Sequence, residues 1–338
     1  MLTFTVFLLV FLQCVCFEFQ NYILRKQNCP LTRIYHPSVL EKKWIAIIDS
    51  VAETTVAWLR GCRKIKEDAS KIDRLLQYQD IWKNNTSLEW CDNGEWKDTL
   101  SYFEVSETCG NTSVTREVPI EPLIGFLRHP AFHCYRNTHG WEDKSYMFLL
   151  NNQQIFPRVK RGKLPGKKYL FDLGASLYAQ GAGGASQQWF IDQYSSRGIE
   201  FDRILAWEVE KHEPKKIFND YTPKVIGKIS YFNVPAEMNL HDIMSPIRIL
   251  KDIVHSEDFL VLKIDIDNEE LELGIIYSFI SDTTVTDLID EFFFEHHVSL
   301  NPMEHYAWGH KDKVNNITES YQLFGRLRNA GIRAHSWV

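Results

Sequence analysis

The residues best suited to chemistry stand at the ends of apolar runs. "KKYLFDLGASLYAQGAGGAS", Lys167 to Ser186, passes from an apolar stretch into Asp172-Leu173-Gly174 and then a glycine-rich loop. Further on, "RILAWEVE" ends in Glu208 and Glu210, and "KISYFNV" carries Asn233. "DFLVLKIDI" carries Asp265 and Asp267, and "DEFFFEHHV" carries Glu295, His296 and His297. An apolar segment that ends in charge is costly unless the charge is paired or used. Each group has its own chemistry. Gly174 lets a backbone approach a ligand closely. Glu208 is placed to accept hydrogen bonds from ribose hydroxyls. Asp265-Ile266-Asp267 offers oxygen ligands at a spacing that suits manganese or magnesium. An imidazole titrates near neutrality, and His296 is assigned the role of general base. Neighbours on a strand point to opposite faces, so only one of His296 and His297 faces a given cleft. His305 and His310 follow, but no His-x-x-x-His helix supports a zinc site, and no metal is assigned.

The elements that position these residues are short apolar runs alternating with helical ones from Lys168 onward. Strand candidates are "KYLFDLG", "RILAWEVE", "KISYFNV", "DFLVLKIDI", "DEFFFEHHV" and "IRAHSWV". Between them lie "SQQWFIDQYSSRG", "PKKIFNDY", "SPIRILKDIVHS", "NEELELGIIYSFIS" and "ESYQLFGRLRNAG". Ser245 before Pro246 marks a helix start. Strands apolar throughout, with helices between them, predict an α/β fold with a doubly wound, mostly parallel sheet over residues 168–338. The strand Lys168–Gly174 is expected at its centre, beside Asp258–Asp267. Ligands of such sheets sit outside the carboxyl ends of the strands.

Residues 17–158 read as a mainly helical, cysteine-bearing region. Ser38 and Glu41 have capping-box spacing, and Leu40, Trp44, Ile48, Val51 and Trp58 recur at helical spacing, with Gly61 as the stop. A second helix is expected around "EDASKIDRLLQYQDIWK", then loops with short strands from Asn84 to Val118. Pro130 forces a turn, and the basic stretch Arg158 to Lys168 reads as a linker. Residues 1–16, with an apolar core from Leu2 to Leu12, read as a secretory signal peptide. Sequons at Asn84, Asn85, Asn111 and Asn316 agree with that compartment. So do Cys29, Cys62, Cys91, Cys109 and Cys134, which predict disulfides confined to the first half, with one thiol left over. The net charge of -6, without a basic cluster, excludes nucleic acid as the main partner. No later apolar stretch is long enough to span a membrane.

"YLFDLGAS", "ILAWEVE", "VLKIDIDNEELE" and "DEFFFEHHV" resemble successive strands of the S-adenosylmethionine-dependent methyltransferase fold. The last two are most similar to FkbM-type methyltransferases, where Lys-Ile-Asp leads into an acidic helix start. "LRNAGIRAHSWV" resembles eukaryotic secretory proteins related to that family. The resemblance covers residues 168–338. It implies S-adenosylmethionine as cofactor and methyl transfer to an oxygen of a small-molecule or glycan substrate. It implies Asp172, Gly174 and Ser176 as the first cofactor motif, Glu208 as the ribose acid, Asn233 as a further cofactor contact, and Asp265 facing methyl donor and substrate. Where the family repeats glycines, this chain has Ala175, Ser176 and Leu177. Two readings of the same residues stay open. One is a non-catalytic lumenal binding protein on a methyltransferase-like scaffold. The other is a glycosyltransferase that holds a nucleotide-sugar diphosphate through a cation on Asp265 and Asp267. The Asp-x-Asp also reads as a helix-start acid cluster, since Asn268, Glu269 and Glu270 follow.

Overall fold

The structure is a computed structural model that describes residues 31–51, 55–84, 94–109, 111–132, 139–155, 166–180, 185–298 and 316–337. The signal-peptide segment, most of the basic linker, and His305 and His310 lie outside them. Of Cys29 to Cys134, only Cys62 has a described side chain, and it is buried.

Residues 168–337 build a six-stranded sheet from β4 (Lys168–Leu173), β5 (Arg203–Trp207), β6 (Ile229–Phe232), β7 (Phe259–Ile264), β8 (Glu291–Phe294) and β9 (Arg333–Ser336). The order is β6-β5-β4-β7-β8-β9, and every pairing is parallel. That order is compatible with a Rossmann-like α/β fold. β4 is central and lies beside β7, as its unbroken apolar run predicts. Every residue of β7 is buried, because neighbouring strands flank it on both sides. The connecting helices fall where the 3.6-residue pattern places them. Three matter below: α1 (Ser186–Ser195), α2 (Glu269–Ile280) and α3 (Ile317–Asn329). Ser245 caps the helix Pro246–Ile253, and Asn316 with Glu319 forms a complete capping box on α3.

The first half departs further from expectation. It contains a three-stranded antiparallel sheet, β1 (Leu31–His36), β2 (Ser101–Cys109) and β3 (Thr112–Ile120), beside its helices. β1 was not legible as a strand. The single helix expected from Ser38 to Cys62 is divided into Val39–Ile45, Ile48–Val51 and Thr55–Glu67, with Gly61 inside the last rather than ending it. Ser38 does accept the Glu41 N–H at 3.0 Å, but Glu41 does not return the bond. Its carboxylate turns inward instead and accepts from Tyr35 Oη (2.6 Å), Ser101 Oγ (2.6 Å) and Leu123 N (2.9 Å). A buried carboxylate must find donors, and these donors tie the helix to the sheet.

Both halves share one core, and a buried ionic network joins them. His335 of β9 lies 2.7 Å from Glu121 and 3.3 Å from Glu291 of β8. Arg333 pairs with Glu291 at 3.4 Å and donates to the Pro119 and Phe148 carbonyls. Arg328 of α3 donates to the Glu121 carbonyl and Tyr35 Oη and lies 3.5 Å from Glu41. Among the described residues, no helix is long and apolar enough to cross a membrane.

Burial alone would push the His335 imidazole down, but Glu121 and Glu291 hold it above its ordinary value. A group with a raised folded pKa stabilises the fold fully below its unfolded pKa. That contribution fades as pH rises through the folded value. His335→Gln should therefore cost roughly 2–4 kcal/mol at about pH 6. The gap to the wild type should narrow as pH climbs toward about 9. Thermal midpoints measured across that range check this, and a gap that stays constant or widens refutes it.

Candidate functional site

In chain order the parallel strands lie three-two-one-four-five-six across the sheet, so the order reverses between β4 and β7. The crevice of such a sheet opens there, outside the carboxyl ends. The ends of β4 and β7 meet around one ammonium group. Lys263 is the only polar residue of β7 and stands directly across from Asp172 of β4. Its Nζ lies 3.3 Å from Asp172 Oδ1 and 3.1 Å from Asp265 Oδ2, and it donates to the Gly174 carbonyl at 2.8 Å. Burial would push Lys263 down, but the two carboxylates override it and hold the ammonium above its ordinary value. Burial raises Asp172 against the pull of Lys263 and of Ser186, whose hydroxyl donates to it at 2.9 Å. Asp265 goes the other way. Burial opposes its charge, but Lys263 and a hydrogen bond from Glu295 bring it below its ordinary value.

The backbone of residues 174–176 is fully engaged by the fold. The Gly174 and Ala175 N–H groups both donate to the Trp207 carbonyl at 3.0 Å. Ser176 N–H donates to Glu208 Oε2 at 2.8 Å. On the acceptor side, Lys263 takes the Gly174 carbonyl, Gln187 Nε2 the Ala175 carbonyl, and Tyr231 Oη the Ser176 carbonyl. Gly174 has φ +79°, and a Cβ there would lie 1.6 Å from the Asp265 carbonyl oxygen. Gly174 is thus needed for the closure of the two strand ends, a role that the sequence did not suggest.

Glu208 ends β5 half-buried, with Oε1 accepting the Glu210 N–H at 2.7 Å. Asn233, past β6, spends its amide on the turn that follows Glu208. Nδ2 donates to the Glu208 and Glu210 carbonyls, and Oδ1 accepts the His212 N–H. Asn233 therefore shapes the Glu208 turn.

A second cluster forms where β7 and β8 end. α2 starts only at its N-cap Asn268, so Asp265 and Asp267 precede the helix rather than belonging to its first turn. Asp267 is exposed and has φ +55°, a left-handed conformation that aspartate tolerates. His297 Nε2 lies 3.5 Å from Asp267 Oδ1 and 3.4 Å from Glu295 Oε2. Glu272 of α2 accepts the Ile266 N–H at 2.8 Å, and burial pushes its carboxyl up to about 7. His296 turns elsewhere. Its Nδ1 pairs with Ser320 Oγ of α3 at 2.7 Å, and burial, with His297 and Arg128, pushes it down to about 4. The histidine that meets the carboxylates is His297, not the His296 chosen from the sequence. Strand parity says that the two diverge; only the packing of α3 says which way.

A separate group of His129, His139 and Asp143 is already satisfied. The two imidazoles stack with centroids 3.8 Å apart, His139 pairs with Asp143, and His129 Nδ1 accepts the Ala131 N–H at 3.0 Å. Compared with known proteins, the chain matches no family model, no curated protein and no solved structure.

Gly174→Ala should cost more than about 3 kcal/mol, because it combines a left-handed φ with a clash against backbone. Gly325→Ala is the control, since a Cβ at that position in α3 meets nothing within 4 Å. It should leave the fold intact or stabilise it by about 0.5–1 kcal/mol. Denaturant titration of both variants tests the assignment, and a Gly174→Ala midpoint equal to the wild type refutes it.

Proposed function

We propose that the protein is an S-adenosylmethionine-dependent O-methyltransferase, with its cofactor over the β4–β5 side of the crevice and its acceptor hydroxyl over β7. One observation carries this reading: the N–H groups of residues 174–176, directly after β4, are all taken by the fold, while a half-exposed carboxylate stands beside them. A dinucleotide or nucleotide sugar would need N–H donors for its phosphates. A ligand without phosphates that presents ribose hydroxyls needs an acceptor, which Glu208 provides. Each Glu208 oxygen accepts one N–H and keeps a further acceptor position. The cofactor supplies a methyl group on a sulfonium. Asp265, kept ionised by Lys263, accepts the hydrogen bond of the acceptor hydroxyl and orients its oxygen. His296 has no part in this reading. A non-catalytic binding protein on the same scaffold remains the second reading, favoured by Gly174, whose close approach is spent on Asp265.

A charge-assisted hydrogen bond contributes about 1.5–3 kcal/mol, so Glu208→Ala should weaken cofactor binding roughly tenfold to a hundredfold. Calorimetry with S-adenosylmethionine, S-adenosylhomocysteine and a nucleotide sugar plus manganese separates the readings. Binding of the first two supports methyl transfer. Metal-dependent binding of the third alone supports glycosyl transfer, and silence from a folded sample leaves the non-catalytic protein.

The compartment belongs to the same proposal. Of the sequon asparagines with described side chains, Asn111, exposed in the turn between β2 and β3, is the better-placed glycan acceptor, because Asn316 is also the N-cap of α3. In a eukaryotic secretory host, Asn111→Gln should remove one glycan's mass without loss of fold. Unchanged gel mobility of that variant, and of glycosidase-treated wild type, would sink the lumenal reading.

A further inference from the structure

We infer that Glu272 is a positioning residue of the crevice: it takes the Ile266 N–H, and so sets the direction in which the chain leaves β7 and the Asp265 carboxylate points. Glu272 stands where the helix calls for an apolar residue. The buried residues of α2 are Glu272, Ile275, Ile276 and Phe279, a stripe at helical spacing. The side chain of Glu272 is completely buried, and its Oε2 has no hydrogen-bond partner among the described residues. Burial pushes the carboxyl up to about 7. An acid in an apolar stripe is costly, and a leucine would fill the place at less cost. Among the described residues, the one hydrogen bond of this carboxylate is the one that Oε1 accepts from the Ile266 N–H, at 2.8 Å.

That bond falls between two better-anchored pieces of chain. The β7 ladder closes with the Asp265 N–H donating to the Leu173 carbonyl at 3.0 Å. The helix begins with its cap, Asn268, whose Oδ1 accepts the Leu271 N–H at 3.1 Å. Between them Asp267 has φ +55°, a conformation that persists only when its surroundings hold it. The Asp265–Ile266 peptide is planar and trans, so its carbonyl and its N–H point in opposite directions. The carbonyl lies against Gly174, where a Cβ would come within 1.6 Å of the oxygen. The N–H goes to Glu272. The peptide plane is thus held at both edges, by a bare glycine and by a buried carboxylate. Asp265 hangs from this plane, and its carboxylate meets Lys263 at 3.1 Å. Release of the N–H edge lets the plane turn and takes the carboxylate with it.

The consequence for chemistry rests on the methyl-transfer reading. There Asp265 orients the acceptor hydroxyl over β7, whereas Glu208 holds the cofactor on the other side of β4. Loss of the Glu272 bond should lower turnover at least about tenfold, and leave S-adenosylmethionine affinity within about twofold of the wild type.

The test reads the turn itself and needs neither cofactor nor acceptor. Amide hydrogen exchange of the full chain, resolved to single residues by mass spectrometry, should show Ile266 protected in the wild type. Glu272→Gln keeps an acceptor oxygen and should keep that protection. Glu272→Leu fills the stripe without an acceptor. It should fold, because an apolar residue in place of a buried charge is well tolerated. Its Ile266 should nevertheless exchange at least about tenfold faster, the worth of a hydrogen bond to a charged group. A packing role alone predicts unchanged exchange in that variant. Glu272→Met, with a flexible chain of similar size, repeats the measurement if the leucine variant does not fold. Three results overturn the inference: Ile266 exchanging at the free-peptide rate in the wild type, equal protection in the wild type and the folded apolar variant, or a loss in Glu272→Gln as large as in that variant. None of them touches the methyl-transfer proposal, which stands or falls by its own calorimetry.

Discussion

One buried ammonium group constrains the rest. Lys263 interrupts a strand whose other residues are all apolar and buried. Taking a charge out of water costs several kcal/mol, and the cost is met only by close partners. The partners are Asp172 across the ladder, Asp265 two residues on, and the carbonyl of Gly174. Two strand ends, those of β4 and β7, must therefore meet at one point. Gly174 must lack a side chain, or the Asp265 carbonyl could not approach it. Asp265 is left with Lys263 on one side and Glu295 on the other. The ionic core of the sheet thus fixes where Asp172 and Asp265 stand.

The same economy narrows what the crevice can recognise. The N–H groups of Gly174, Ala175 and Ser176 close onto Trp207 and Glu208, so none of these three is left as a donor. In the proposed reading, recognition passes to the side chain of Glu208 on the β5 side, which accepts from hydroxyls. On the β8 side, Asp265 is paired with Lys263 and takes a hydrogen bond from Glu295, which lies 3.4 Å from His297. The crevice is divided into two chemistries, and strand order sets the division.

The strands of the parallel sheet were legible because each is buried on both faces and so reads as an unbroken apolar run. Lys168–Leu173 and Phe259–Ile264 appear where "KYLFDLG" and "DFLVLKIDI" place them, and as neighbours. β1 was not legible, because "LTRIYH" is half-exposed and its pairing partner lies some seventy residues on, from Ser101. Glu41 had the spacing of a capping residue, but a tertiary contact outbid the local one. At the site, residue types were legible and directions were not. Asp172, Gly174, Glu208 and Asp265 lie at or just past the carboxyl ends of their strands, where the apolar runs end. Asn233 has its amide turned to the chain, and His296 faces α3. Glu272 was missed. Its signal was a glutamate four residues after Asn268, which in sequence looks like an ordinary first-turn acid.

The first half of the chain also enters the electrostatics of the site. Glu121 holds His335 and Arg328, which fixes β9 and α3 against β8. From the same half come two cations that sense the carboxylates. Burial pushes the Lys144 ammonium down to about 8, against the attraction of Glu295, and its Nζ lies 4.5 Å from the Trp337 ring centroid. Arg128, fully buried, is drawn by Glu295 and Asp265 and donates to Ser336 Oγ and the Trp337 carbonyl. An arginine keeps its charge in such a place; a lysine near neutrality does not keep it fully. The positive field on the β8 side therefore has a fixed part from Arg128 and a variable part from Lys144. The variable part grows when the carboxylates beside it ionise and shrinks when they are protonated. Lys144 is accordingly the residue of the first half whose charge should follow the state of the Asp265 cluster, which makes that half a partner of the site as well as a support for it.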